Sequence, residues 1–110
     1  MSDSEMPNFG ELMQTAQRVQ EDLSRIQAEL AQKTVEGSAG GGLVTAIVNG
    51  RQQLISLKIE KDIVDPEDIP MLQDLVVAAI NVALGRASEM AQAELSAVTG
   101  GLPLKIPGLT

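Results

Sequence analysis

Eight basic side chains carry whatever anion chemistry this chain can perform. Arg18 and Arg25 are seven residues apart, so on a helix they share one face. Lys33 extends them into a basic edge, and Arg86 is the one basic residue of a later helical stretch. Guanidinium and ammonium groups so placed suit phosphate oxygens. A plainer reading stands beside this one. Glu21 precedes Arg25 by four, Glu29 precedes Lys33 by four, and Asp22 follows Arg18 by four. The same residues then form a solvated face of surface ion pairs, each worth roughly a few tenths of a kcal/mol. Arg51 and Lys58 read as exposed charges, and Lys105 falls in a terminal tail where it can touch phosphate without ordering.

Other chemistry is thinly supplied. With no Cys and no His, thiol nucleophiles, thiolate or imidazole metal sites and imidazole bases are excluded. Glu67 and Asp68 are adjacent, but at a helix start they answer the helix dipole. The run Gly37-Ser38-Ala39-Gly40-Gly41-Gly42 lacks the Lys-Ser/Thr ending of a phosphate loop and precedes no helix, so it reads as a turn or a close backbone approach. Neither an enzyme, a cofactor nor a metal is expected. Phe9 is the single aromatic residue, which removes the stacking platforms that single-strand and RNA binders use; Phe9 itself is expected in the core. Backbone contact to a duplex remains. No helix carries the Arg, Asn and Gln cluster of a major-groove reader, so little sequence specificity is expected. Against this stands a net charge of −7. Met1–Glu36 contributes −4, Gly37–Val64 +1 and Asp65–Thr110 −4, which leaves the middle of the chain the least acidic part.

The elements that must position these groups follow from patterning. Phe9, Leu12, Ala16, Val19, Leu23, Ile26 and Leu30 alternate steps of three and four, a heptad seam that predicts a long amphipathic helix. That seam packs either on the chain's own sheet or, in part, on a partner subunit. Lys33–Ser38 offers a first strand and Leu43–Val48 a second. Asn49-Gly50 predicts a tight hairpin turn with both residues at positive φ. In the third strand, Ile55, Leu57 and Ile59 alternate with Ser56, Lys58 and Glu60, predicting one buried face. Asp65 is expected to cap a helical turn, with Pro70 opening a helix from about Met71 to Ala97. That helix is apolar nearly all round at Leu75–Ile80, which calls for cover on more than one side. Its most apolar run, Leu75–Leu84, is about half the length a membrane span needs, and no signal sequence opens the chain, so a soluble intracellular protein without a membrane partner is expected.

Four segments, in order, resemble the YbaB/EbfC family: NFGELMQTAQRVQEDL, GGGLVTAIVNGRQQLISLKI, DPEDIPMLQDLVVAAINVALGRA and TGGLPLKIPG. Together they span about residues 8–108. The resemblance implies a bacterial α+β homodimer with protruding helices, DNA binding, association with the nucleoid in the cytoplasm, and effects on gene expression and recombination repair, with a recombination-repair protein as a further partner. The chain departs from the pattern at Pro70 and in its sparse basic residues. The expected fold is α+β: a long N-terminal helix, a three-stranded antiparallel sheet with a hairpin, and a long C-terminal helix. A single domain spans 8–98, between a flexible N-terminus at 1–7 and a flexible Gly/Pro tail at 99–110. The expected function is binding of double-stranded DNA as a homodimer through Arg18, Arg25, Lys33 and Arg86. The competing reading is an acidic dimeric adaptor that binds protein and not DNA.

Overall fold

The computed structural model describes residues 8–98; the expected flexible segments at 1–7 and 99–110, with Lys105, lie outside it. Helix α1 (Phe9–Gln32) leads into strands β1 (Thr34–Ala39), β2 (Val44–Asn49) and β3 (Leu54–Ile59), then a 3-10 turn at Lys61–Ile63 and helix α2 (Ile69–Val98). The strands form one antiparallel sheet in the order β1-β2-β3. This is the α+β arrangement expected from the patterning.

Register decides which side chains share a face. Val35, Gly37 and Ala39 of β1 oppose Val48, Ala46 and Val44 of β2, and those three β2 residues oppose Leu54, Leu57 and Ile59 of β3. Directly opposed residues point to the same side of a sheet. That side is the core side, because Val44, Ala46 and Val48 are fully buried. The strict alternation read for β3 fails at one point. A bulge opposite Ile47/Val48 inserts Ile55 as an extra residue, so Leu54 joins the core-side row in its place.

Helix α2 covers β1 and β2 and leaves most of β3 bare. Its contact stripe is Ala79, Ala83 and Ala87, all fully buried against Val44, Ala46 and Val48. Alanine every fourth residue lets the helix lie close on the sheet, and Gly37 makes the closest approach possible. A Cβ at Gly37 would sit 2.7 Å from the Ala79 carbonyl oxygen and would also strike the Ala83 amide nitrogen. Half of the eight buried apolar residues among those described are alanines, so the core carries little apolar area.

Much apolar surface is correspondingly left outside. Leu54 and Leu57 are 47% and 37% exposed on the core side of β3. By length and composition alone α2 is apolar enough to cross a membrane, with a mean hydropathy of 1.3 in its richest window, longer than the run singled out in the sequence. Its alanine stripe is nevertheless seated on the sheet. Phe9, expected in the core, is 76% exposed. The seam of α1 is buried only at Ile26 and Leu30, and every residue from Phe9 to Glu21 is exposed.

The helix starts also differ in detail. Asp68, not Asp65, receives the first free amide of α2, from Met71 at 3.3 Å. Asp65 instead closes the preceding turn by accepting from the Glu67 amide at 2.9 Å, because Pro66 and Glu67 adopt a turn and not a helix.

Two glycine substitutions test this packing with opposite signs. Gly37→Ala should destabilise the protein by about 1–3 kcal/mol through overpacking. Gly85→Ala, on α2 where nothing lies within 4 Å of the added Cβ, should stabilise it by about 0.5–1 kcal/mol. Urea unfolding followed by far-ultraviolet circular dichroism reads both.

Candidate nucleic-acid interface

Helix α1 is exposed from Phe9 to Glu21, and the contacts at its end fix where that surface points. At its start Asn8 is the N-cap, its side-chain oxygen accepting from the Glu11 amide at 2.7 Å. At its end the helix is held by the β2–β3 hairpin. The Gly50 amide donates to the carbonyls of Leu30 at 2.8 Å and Lys33 at 3.0 Å, and Asn49 Nδ2 donates to the Ala31 carbonyl at 3.3 Å. The hairpin was legible from Asn-Gly, but the residue at positive φ is Gln52. Gly50 is required for a different reason: a Cβ there would stand 2.7 Å from the Leu30 side chain.

The four sequence-predicted cations meet different fates. Arg18 is exposed on the projecting part of α1, and among the described residues no carboxylate or hydrogen-bond acceptor engages it. Arg25 is 59% exposed and lies between Asp22, 3.1 Å from Nη1, and Glu29, 3.7 Å from Nε. Such exposed pairs hold a side chain only weakly. Lys33 turns away from both arginines and pairs with Glu94 of α2. Its hydrogen bond to that carboxylate raises its pKa above the ordinary 10.5, partly opposed by desolvation and helped by the charges of Glu94 and Glu29. Arg86 donates from Nη1 to the Glu36 carbonyl at 2.8 Å, tying α2 to β1. The structure therefore keeps Arg18 and Arg25 on one helix face, and gives Lys33 and Arg86 joints between elements.

Three further cations have no carboxylate within ion-pair distance among the described residues: Arg51 in the hairpin, Lys58 on β3 and Lys61 in the 3-10 turn. Lys58 opposes Thr45, in the row that alternates with the core row, and so faces away from α2. Lys61 belongs to no motif; its only sequence signal is the +1 charge of Gly37–Val64. Among the described residues no group of three or more acidic side chains is placed to hold a metal ion.

A helix, a three-stranded antiparallel sheet and a second helix, with two arginines displayed on the projecting first helix, define a small α+β class of protein. The chain belongs to the YbaB/EbfC DNA-binding family, whose sequence profile matches residues 6–102. It is 54% identical over 100 residues to a nucleoid-associated protein of Syntrophobacter fumaroxidans, covering 88% of this chain and 91% of that one. It is 51% identical over 102 residues to one from Acetivibrio thermocellus, covering 93% and 89%. The fold is similar to the crystal structure of an uncharacterized protein from Helicobacter pylori, with a TM-score of 0.66 and 18% identity over 88% of this chain and 98% of that one. The family is a DNA-binding family and not an enzyme family.

The Lys33–Glu94 tie predicts a pH dependence. A lysine whose folded pKa is raised contributes stability fully below its unfolded value and loses it as pH rises through the folded value. The difference in Tm between the native protein and Glu94→Gln should therefore stay constant from about pH 7 to about pH 9 and shrink only above the ordinary 10.5 of Lys33. Thermal melts across that range check it.

Proposed function

We propose that this protein is a nucleoid-associated protein that binds double-stranded DNA as a homodimer, with little sequence specificity, in the bacterial cytoplasm. Family membership supplies the class of ligand. The observation that carries the reading to residues is Arg18, an exposed guanidinium on a projecting helix with no internal partner among the described residues. Arg25 joins it by exchanging weak carboxylate contacts for phosphate. Lys33 and Arg86 contribute chiefly by holding the helices that carry the contact, because each is already engaged within the fold.

The dimer is argued from what the single chain leaves bare. The core-side row of β3 is apolar and uncovered beside α2, and the buried core is mostly small side chains. A second copy laid across β3 and the free side of α2 would extend that core without adding a polar group to it. Two-fold symmetry would then present Arg18 twice to the regularly spaced phosphates of a duplex. Occupancy of DNA by such a dimer is the route by which it would affect gene expression and recombination repair, with a recombination-repair protein as a further partner.

Salt dependence tests the reading. Binding to a random-sequence duplex, followed by fluorescence anisotropy, should weaken steeply with salt. Each phosphate contact adds about 0.9 to the slope of log K against log salt, so Arg18→Ala in a dimer should flatten it by about 1.8. Absence of binding at low salt would remove the DNA reading and favour an acidic protein-binding adaptor.

A further inference from the structure

Asparagine can lose its side-chain nitrogen to attack by the backbone amide of the next residue. A side chain on that next residue obstructs the attack, and glycine does not. Asn8 precedes Phe9 and Asn81 precedes Val82, whereas Asn49 precedes Gly50. The fold itself demands this glycine, since a Cβ there would stand 2.7 Å from the Leu30 side chain. The chemistry is deamidation. The Gly50 nitrogen, having given its proton to solvent, bonds to Asn49 Cγ. The bond from Cγ to Nδ2 breaks, and Nδ2 takes a proton from water and leaves as ammonia. Water then opens the succinimide ring at either carbonyl, giving an aspartate or an iso-aspartate linkage. Overall, water is consumed and ammonia released.

The folded corner holds every atom that this reaction must move. The Gly50 amide donates to the Leu30 carbonyl at 2.8 Å and the Lys33 carbonyl at 3.0 Å. Asn49 Nδ2 donates to the Ala31 carbonyl at 3.3 Å and to Gln53 Oε1 at 2.7 Å. Its Oδ1 accepts from the Arg51 and Gln53 amides, which can only donate and so fix which end of the side chain is oxygen. Leu30, Ala31 and Lys33 all belong to the end of α1. That helix is buried only at Ile26 and Leu30, so its end can leave the hairpin without opening the sheet.

We propose that Asn49-Gly50 is a deamidation site gated by the docking of α1: it reacts while the end of the helix is detached, and the product prevents the helix from docking again. A carboxylate has no hydrogen to donate. At a position 2% exposed it would set a negative oxygen against the Ala31 carbonyl and Gln53 Oε1, a buried charge without a partner. An iso-aspartate adds a backbone carbon and moves the Gly50 amide off the Leu30 and Lys33 carbonyls. A reversible detachment thereby becomes permanent, and the part of α1 that carries Arg18 loses its fixed direction.

Peptide mapping of the full-length protein by mass spectrometry follows the reaction, with Asn8 and Asn81 as internal references. In native buffer Asn49 should convert at least about a hundredfold more slowly than in urea. Amide hydrogen exchange reads the gate. Gly50 should be protected by the same factor as deamidation is slowed, to within about threefold, and less than Ala46 on the central strand. Equal conversion rates in native buffer and urea would overturn the closed site. Protection of Gly50 equal to that of Ala46 would make global unfolding the gate and overturn the role of α1. Asn49→Asp reproduces one product. It should cut the protection of Gly50 at least about tenfold and leave that of Ala46 unchanged. Unchanged protection of Gly50 would overturn the block on docking. Loss at both amides would show that the corner holds the sheet as well, which overturns a gate confined to α1.

Discussion

Asn49 is the buried polar side chain on which the geometry of the molecule turns; it is 2% exposed. Its oxygen accepts from the amides of Arg51 at 2.9 Å and Gln53 at 3.0 Å, and so shapes the hairpin. Its nitrogen donates to Gln53 Oε1 at 2.7 Å and to the Ala31 carbonyl at 3.3 Å, and so reaches the last turn of α1. Helix ends leave carbonyls without partners. Here the hairpin supplies donors to three of the last ones, through Asn49 and the Gly50 amide. One side chain therefore fixes both the corner of the sheet and the direction in which α1 leaves it. The positions of Arg18 and of the apolar seam are consequences of that direction.

The same corner shows how far the sequence could be read. Asn-Gly announced a hairpin, and the seam of threes and fours announced a helix, because both signals are local. The use of Gly50 was not legible, because its constraint is the Leu30 side chain 20 residues earlier. Strand β3 repeats the lesson. Alternation put Ile55 in the buried row, but a bulge depends on register with β2 and leaves no mark on the β3 sequence alone. Phe9 was expected inside on hydrophobicity, although it opens a helix whose first three turns are exposed among the described residues. Among the cations, the pairing of Lys33 with Glu94 joins residues 61 apart, beyond any helical spacing argument.

The charge of −7 bears on DNA contact less through its total than through its placement. Long-range repulsion is screened within about 8 Å at physiological salt, so what a phosphate meets first is the local surface. Of the acids around the start of α2, Asp65 and Asp68 accept from turn and cap amides. Asp22 and Glu29 share Arg25, which balances one of their two charges. A duplex along α1 would displace weak, exposed ion pairs, whereas a duplex at the Lys33–Glu94 or Arg86–Glu36 joints would have to open contacts between elements. The local cost therefore favours α1.

The small core and the bare surfaces have one cause. A helix that approaches a sheet through Ala79, Ala83 and Ala87 over Gly37 gains closeness and gives up side-chain volume. Less apolar area is removed from water per residue than in a core of Leu and Phe, while the chain-ordering entropy is not reduced in proportion. The missing area stands outside, on β3 and along α1. In the proposed homodimer a second chain would recover that area, and the surface that does so would also set the spacing of the duplicated arginines. Stability and duplex contact would then be lost together with the second chain.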